Sequence, residues 1–181
     1  MSAVDKGEPC PAAESKRLPL IVSACLVGLH TRLDGRVRFF PDVLALAPHY
    51  CLIPVCPEQL GGSPTPRPAA EICHGVGDDV LDGRAQVLSE AGDDLTEVYL
   101  RGAMEVLDIA RLSEARAAVL KARSPSCGVG TTYDGTFAHR LRPGSGVTAA
   151  LLARQGLQLY TEEDCAALVG RPSASQRQAE G

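Results

Sequence analysis

The chain has 181 residues, of which 45% are hydrophobic, and its formal net charge at pH 7 is -4. This length suits one compact domain, which buries roughly two-thirds of the surface that the unfolded chain exposes. The 18 basic and 22 acidic side chains form no basic block, which argues against a surface for macromolecular nucleic acid. Any charged ligand should therefore meet a local site.

Other features bound the class of protein. No apolar stretch reaches the ~20 residues that a membrane-crossing helix needs, and the N-terminal segment lacks the apolar core of a secretory signal, so we expect a cytoplasmic protein without a membrane partner. Residues 1–17 and 171–181 are polar and aperiodic, which predicts mobile tails around a single domain at 18–170. Seven cysteines, an odd number without an export signal, argue against a disulfide framework.

Short apolar runs alternate with helical patterns along the chain. The runs have the composition of strands that are covered on both faces. They occupy residues 19–25, 51–56, 117–123 and 157–161. Strands that alternate with helices predict a single α/β layered domain, Rossmann-like, with a mainly parallel sheet flanked by helices.

The segments between the strands predict helices and turns. A short helix is predicted at 41–47 and a long amphipathic one at 93–112, where Asp94 and Glu97 match a capping box. Another helix should begin after Ser145 as N-cap and stop at Gly156. The dipeptides at 82–83 and 134–135, both Asp-Gly, predict hairpin turns, so small hairpins should pack at the edge of the sheet.

Three cysteines follow the ends of predicted strands. Cys25 closes "LIVSAC", Cys56 closes "LIPVC", and Cys127 follows "VLKARSPS". Parallel strands bring their carboxyl ends to one edge of the sheet, where open α/β sheets bind ligands. The set lacks the fourth ligand and the short spacing of a structural zinc site, whereas three cysteines on a four-iron cluster would leave one iron free. Because free cysteine is also a commonly buried residue, the pattern alone leaves shared ligation and ordinary burial both open.

Four separated motifs carry a more specific signal. They are "VSACLVG" with "RLDG", "VCPEQLGG" with "TPRPAAEI", "LKARSPSCG" with "YDGTF", and "GSGVTAALL". In order and spacing they resemble the thiouracil desulfidase (TudS-type) family over roughly residues 19–161. The resemblance implies a 4Fe-4S cluster held by Cys25, Cys56 and Cys127, with one open iron site. It also implies removal of sulfur from thiouracil or 4-thiouridine monophosphate, which gives the oxo compound and hydrogen sulfide.

That chemistry assigns roles to residues around the cysteines. The open iron would activate the thiocarbonyl as a Lewis acid, without a redox step. Glu58, two residues after Cys56, is the expected general base for water and the later general acid. Pro125 restricts the turn between Ser124 and Ser126, and Ser124 is expected to face the substrate as a catalytic residue.

A nucleotide substrate would need an anion site as well. The start of the helix at "GSGVTAA" offers backbone amides and hydroxyls of the kind that receive phosphate, and nearby basic residues add positive charge. The expected substrate-binding residues are Ser23, Arg32, Arg67, Lys121, Ser126, Ser145, Gly146 and Thr148. Ordinary capping and salt bridges would account for the same residues.

Two other functions fit the same cysteines. One is a non-catalytic module that binds a cluster or zinc and responds to redox state. The other is a cluster-free sulfurtransferase that uses one thiolate as its nucleophile. A ligand framed by serines and followed by a nearby glutamate favours the desulfidase, whose partner would be a small thiolated pyrimidine or its nucleotide.

Overall fold

A computed structural model of the protein describes residues 17–165 and residue 168. The predicted tails therefore lie, apart from Arg17, outside the described residues. In chain order the elements are β1 (Leu18–Ser23), α1 (Pro41–Leu44), β2 (Tyr50–Val55), α2 (Pro57–Leu60), β3 (Ala70–Cys73), α3 (Gly77–Leu81), β4 (Gln86–Ser89), α4 (Thr96–Leu112), β5 (Ala117–Leu120), β6 (Thr131–Tyr133), β7 (Leu141–Pro143), α5 (Val147–Arg154) and β8 (Gln158–Thr161). Within the described residues, no helix is both long and apolar enough to span a bilayer.

The main sheet has four parallel strands in the order β2-β1-β5-β8. These are the four predicted strands, so the predicted α/β fold with a mainly parallel sheet is confirmed. Strand β5 ends at Leu120, three residues earlier than predicted. The next two backbone amides donate hydrogen bonds to side chains instead of to carbonyls of a neighbouring strand. The amide of Lys121 donates to the Ser23 hydroxyl at 2.9 Å, and the amide of Ala122 donates to the Glu162 carboxylate at 2.7 Å.

Each face of this sheet is covered. Ile21 and Leu120 point to one side, where they pack in a core that includes α4 and α5. Leu20 and Val22 point to the other side and pack in a core that includes Val43 of α1, Cys165 and Leu168. Because neighbouring residues of β1 are buried on opposite faces, an unbroken apolar strand is what this position requires.

The two hairpins differ in how well the sequence predicted them. Strands β6 and β7 pair antiparallel around the loop at 134–140, as the second Asp-Gly dipeptide predicted. Strands β3 and β4 also pair antiparallel, but helix α3 lies between them, so the predicted turn at 82–83 is wrong. The Asp79 carboxylate accepts the Val76 amide at 3.0 Å and so caps α3, and Gly83, with φ of +72°, follows its end.

The helix starts also differ from prediction. Helix α4 begins at Thr96, whose amide donates to the Asp94 carboxylate at 2.9 Å. This hydrogen bond, and not the predicted capping box of Asp94 with Glu97, marks the start of the helix. Helix α5 has Gly146 as its N-cap instead of Ser145. The Ser145 hydroxyl accepts the amide of Gly130 at 3.0 Å, so it serves the preceding loop.

Two glycines let helices α2 and α4 cross with their backbones in contact. A Cβ atom at Gly61 would overlap the carbonyl oxygen of Val98, and one at Gly102 would overlap the carbonyl oxygen of Pro57. Arg101 adds hydrogen bonds to the Gly61 carbonyl, one of them at 2.9 Å from Nε. This crossing sets the position of α2, which follows Cys56 directly.

We expect the substitution Gly102→Ala to destabilise the protein by at least about 1–3 kcal/mol, the usual cost of overpacking, because α2 must move away from α4. Urea unfolding of the metal-free protein measures this cost. The substitution Glu105→Ala, at an exposed position of the same helix, is the control and should have little effect. If Gly102→Ala unfolded at the wild-type urea concentration, the tight crossing would be contradicted.

Candidate functional site

The three cysteines singled out by the sequence lie at the carboxyl edge of the sheet. Cys25 lies in the 3-10 turn after β1, Cys56 is the N-cap of α2 directly after β2, and Cys127 lies in the turn after β5. Because β1 lies between β2 and β5, the order of the strands places Cys25 between the other two. Adjacent strands are about 4.8 Å apart, so the three turns are neighbours.

Every pair of these thiols interacts electrostatically. Burial, together with the nearby Cys56, raises the pKa of Cys25 to about 11. Burial also raises the pKa of Cys127 well above its ordinary value; a hydrogen bond from Ser23 opposes the shift, and Cys25 and Cys56 add to it. The three sulfur atoms therefore share one poorly solvated region, in which their negative charges would repel unless a cation is bound.

Thiols are the ligands that iron-sulfur clusters take, so the donor set is compatible with such a cluster. Among the described residues, no group of three or more His, Cys, Asp or Glu side chains is arranged to hold one ion. In an iron-sulfur cluster each cysteine binds a different iron, so the ligands do not converge on one atom. A bound metal deprotonates its thiol ligands, which removes the need for a low intrinsic pKa.

The Ser-Pro-Ser segment shapes the turn that carries Cys127. The Ser124 hydroxyl oxygen accepts the amides of Ser126 and Cys127, both at 3.1 Å, and its carbonyl accepts the Gly128 amide at 2.8 Å. The Ser126 hydroxyl is fully buried and lies 2.8 Å from the hydroxyl of Thr148 on α5. One serine thus caps the turn, and the other attaches it to α5.

The start of α5 does not offer the free amides that the sequence predicted. The amides of Gly146, Val147 and Thr148 donate to carbonyls of residues 125–128 at 2.8 to 2.9 Å. A Cβ atom at Gly146 would lie 2.5 Å from the Ser126 carbonyl oxygen, so the glycine is needed for this contact. These amides hold the Cys127 turn in place and are unavailable to a phosphate in this conformation.

Glu58 lies in the first turn of α2, next to Cys56, and forms a buried ion pair. Its Oε2 accepts Nε of Arg67 at 2.5 Å, and the two side chains are only 14% and 8% exposed. Nη2 of Arg67 also donates to the Thr31 carbonyl at 2.9 Å and lies 3.9 Å from the Cys56 sulfur. Arg67, expected from the sequence to bind substrate, is therefore paired with the expected general base.

Tyr99 is a member of this group that the sequence did not single out. It projects from α4 and is 3% exposed. Burial raises its pKa well above the ordinary value, and the charge of the neighbouring Glu58 contributes. The phenol therefore stays protonated beside the carboxylate, to which it can donate a hydrogen bond. The helical pattern of the sequence predicts that Tyr99 is buried but does not predict its contact with Glu58.

A second ion pair lies near Cys25. Nζ of Lys121 donates to Glu162 Oε1 at 2.7 Å, with the carboxylate side chain only 5% exposed. Ser23, which accepts the Lys121 amide, lies on the strand that leads to Cys25. Glu162 was not predicted, because 41 and 40 positions separate it from Lys121 and Ala122, the residues that it binds.

Arg32 is the remaining basic residue predicted at the site. It pairs with Asp34 at 3.2 Å and is 24% exposed, and its charge lowers the pKa of Cys25 slightly. Each of the three predicted basic residues, Arg32, Arg67 and Lys121, thus has a carboxylate partner.

Fold and site together define an α/β protein with a three-thiol site at the carboxyl edge of its sheet and a buried carboxylate–guanidinium pair beside one thiol. The chain belongs to the 2-thiouracil desulfurase family, whose profile matches residues 20–164. It is 42% identical over 145 residues to the uncharacterized protein YbbK of Bacillus subtilis (strain 168), covering 80% of this chain and 96% of that one. Among solved structures it resembles the 4Fe-4S-dependent thiouracil desulfidase TudS, with a TM-score of 0.71 and 37% identity over 84% of this chain and 96% of that one.

Proposed function

We propose that this protein is a desulfidase that binds a 4Fe-4S cluster through Cys25, Cys56 and Cys127 and removes sulfur from a thiolated uracil compound. The gathering of three thiols from three adjacent strand ends carries the proposal. The similarity to TudS, a 4Fe-4S-dependent thiouracil desulfidase, supports it. When bound, a cluster with three cysteine ligands supplies Lewis acidity toward sulfur at its remaining iron.

The reaction converts a thiocarbonyl and water into a carbonyl and hydrogen sulfide. In this proposal, Glu58 takes one proton from the attacking water and gives it to the departing sulfur. The hydroxyl proton left on the adduct is released as the carbonyl forms, so both protons of water end on the sulfide. Because Arg67 donates to Oε2, the orientation of the carboxylate is fixed while lone pairs remain for the water. The phenol of Tyr99 beside this carboxylate helps to hold it in place.

Ser124 is the proposed substrate-facing residue. Both lone pairs of its hydroxyl oxygen accept amides of the Cys127 turn, so the orientation of the oxygen is fixed. Over the part of the chain that the structure describes, no acceptor is found for its proton. That proton is available to a ring oxygen or nitrogen of a thiolated pyrimidine, which would orient the thiocarbonyl.

The carboxylate partners of the basic residues bear on the choice of substrate. Arg32, Arg67 and Lys121 already have carboxylate partners, and the α5 amides are already bonded. We therefore propose that the thiolated ring is the part recognised most strongly, and that both thiouracil and 4-thiouridine monophosphate are substrates. A phosphate would have to compete with the existing ion pairs.

The high thiol pKa values argue against a cluster-free sulfurtransferase. Such an enzyme needs a thiolate at neutral pH, and thus a lowered pKa. Burial instead raises the pKa of Cys25 to about 11. A non-catalytic cluster module would not need the buried Glu58–Arg67 pair next to a ligand. Each of these two alternatives predicts a result that differs from that of the desulfidase in the assay described next.

The proposal is tested by anaerobic reconstitution followed by incubation with thiouracil, 4-thiouridine and 4-thiouridine monophosphate. The protein should turn brown, take up about four irons per chain, and release sulfide in amounts equal to the oxo product formed. An iron-loaded protein that releases no sulfide from any of the three compounds would indicate a redox module. A metal-free protein with full activity would indicate a sulfurtransferase instead.

A further inference from the structure

One hydroxyl at the site is buried without a partner. Oγ1 of Thr31 has almost no solvent contact, and no hydrogen-bond partner for it exists among residues 17–165 and 168. Thr132 has the only other such oxygen in this part of the chain, on strand β6. Proteins pair nearly all of their buried polar groups, because an unpaired one destabilises the folded state. An unpaired buried hydroxyl therefore requires an explanation.

Thr31 contacts two members of the site through its backbone. Its carbonyl accepts Nη2 of Arg67 at 2.9 Å and the thiol of Cys56 at 3.7 Å. The loop is fixed at this place, because the Arg67 amide donates to the Leu33 carbonyl at 2.8 Å. This contact was not predicted, because Thr31 lies between the motifs VSACLVG and RLDG and belongs to neither.

The hydroxyl faces the protein interior. Thr31 as a residue keeps part of its surface exposed, whereas its side-chain oxygen is buried. Cys56 and Arg67 contact the backbone carbonyl of the same residue, so the buried hydroxyl belongs to a residue that adjoins the site. A buried donor on a residue that touches a proposed ligand is suited to a bound group that brings an acceptor with it.

We propose that Thr31 is a positioning residue whose hydroxyl donates a hydrogen bond to a sulfur acceptor of the group bound at the three thiols. The acceptor is either a sulfide of the cluster or the thiocarbonyl sulfur of the substrate. The proposal rests on the proposed function. Hydrogen bonds to the sulfurs of a cluster set its reduction potential, and hydrogen bonds to a bound substrate set its affinity.

The test compares Thr31→Val, which removes the hydroxyl at constant shape, with Thr31→Ser, which keeps it. In the metal-free protein, the valine variant should melt at or above the wild-type temperature, because it replaces an unpaired buried hydroxyl by a methyl group. The matched control is Thr96→Val. The Thr96 hydroxyl accepts the Val87 amide at 3.0 Å, so its loss should lower the melting temperature.

In the reconstituted protein, the two possible acceptors give different results. If the acceptor is a cluster sulfide, Thr31→Val shifts the midpoint potential to a more negative value and leaves KM unchanged. If it is the substrate sulfur, KM for thiouracil rises about 10-fold or more while the potential stays the same. In either case Thr31→Ser stays close to wild type.

A Thr31→Val variant that keeps both the wild-type potential and the wild-type KM would overturn the proposal, and so would one that melts at a lower temperature when metal-free. Such a result would mean that the hydroxyl has its partner inside the protein or in a buried water. Failure of the proposed function looks different, because the wild-type protein itself would then bind no cluster or release no sulfide.

Discussion

Replacing any one of Cys25, Cys56 and Cys127 by serine should lower the rate of sulfide release by the reconstituted protein more than about 100-fold. Even the loss of a residue that only hydrogen-bonds to a metal ligand lowers metal affinity or activity by about 10- to 100-fold. Iron content should fall well below about four per chain, and the brown colour should be lost. The reason is that each sulfur would hold a different iron, so that no remaining ligand substitutes for the one removed. Iron analysis and visible absorption after anaerobic reconstitution measure the effect.

The chain supplies matched controls for this experiment. Cys51 is exposed on β2, whose end carries Cys56, and Cys73 is buried on β3. Serine at either position should leave iron content and sulfide release close to wild type. The three-ligand assignment would be contradicted by full iron content in one of the three variants, or by an equal loss in a control variant.

The substitution Glu58→Gln should lower kcat by about 100- to 10,000-fold, the range that general acid–base catalysis contributes. Iron content should be retained, because the amide is not a proposed ligand. Gln keeps the shape of Glu and can still accept a hydrogen bond from Arg67, so the stability loss should stay below the 3–5 kcal/mol that breaking a buried ion pair costs. Steady-state kinetics, iron analysis and thermal melting separate the three effects.

Glu105→Gln is the control for Glu58→Gln, because it makes the same change at an exposed position of α4. Its kcat should match wild type. If Glu58→Gln kept its iron and its wild-type kcat, the carboxylate would not be the base that activates water. The phenol of Tyr99 would then be the next group to replace, since it lies beside Glu58.

The sheet was predictable from the sequence because its signals are local. The apolar strands buried on both faces stand out as uninterrupted runs, and parallel strands bring their ends to one edge. The position of Cys127 after β5 follows from these two facts. Helix α3 was missed because it has only five residues, and its cap depends on a single carboxylate, Asp79.

The unpredicted parts of the site depend on contacts between distant residues. The sequence shows that α5 begins with a glycine-rich segment, but the carbonyls of residues 125–128 that take its amides are known only from the packed structure. The partners Tyr99 and Glu162 likewise lie about 40 residues from Glu58 and Lys121. Thr31 carries no motif, and its buried hydroxyl becomes informative only once its surroundings are known.

An iron-edge anomalous map from crystals of the anaerobically reconstituted protein tests the central claim most directly. The account predicts four iron atoms at the carboxyl edge of the sheet, of which three are bonded to the sulfurs of Cys25, Cys56 and Cys127 and the fourth has no protein ligand. Iron bound through other side chains, or one of these three sulfurs turned away from the iron, would contradict it.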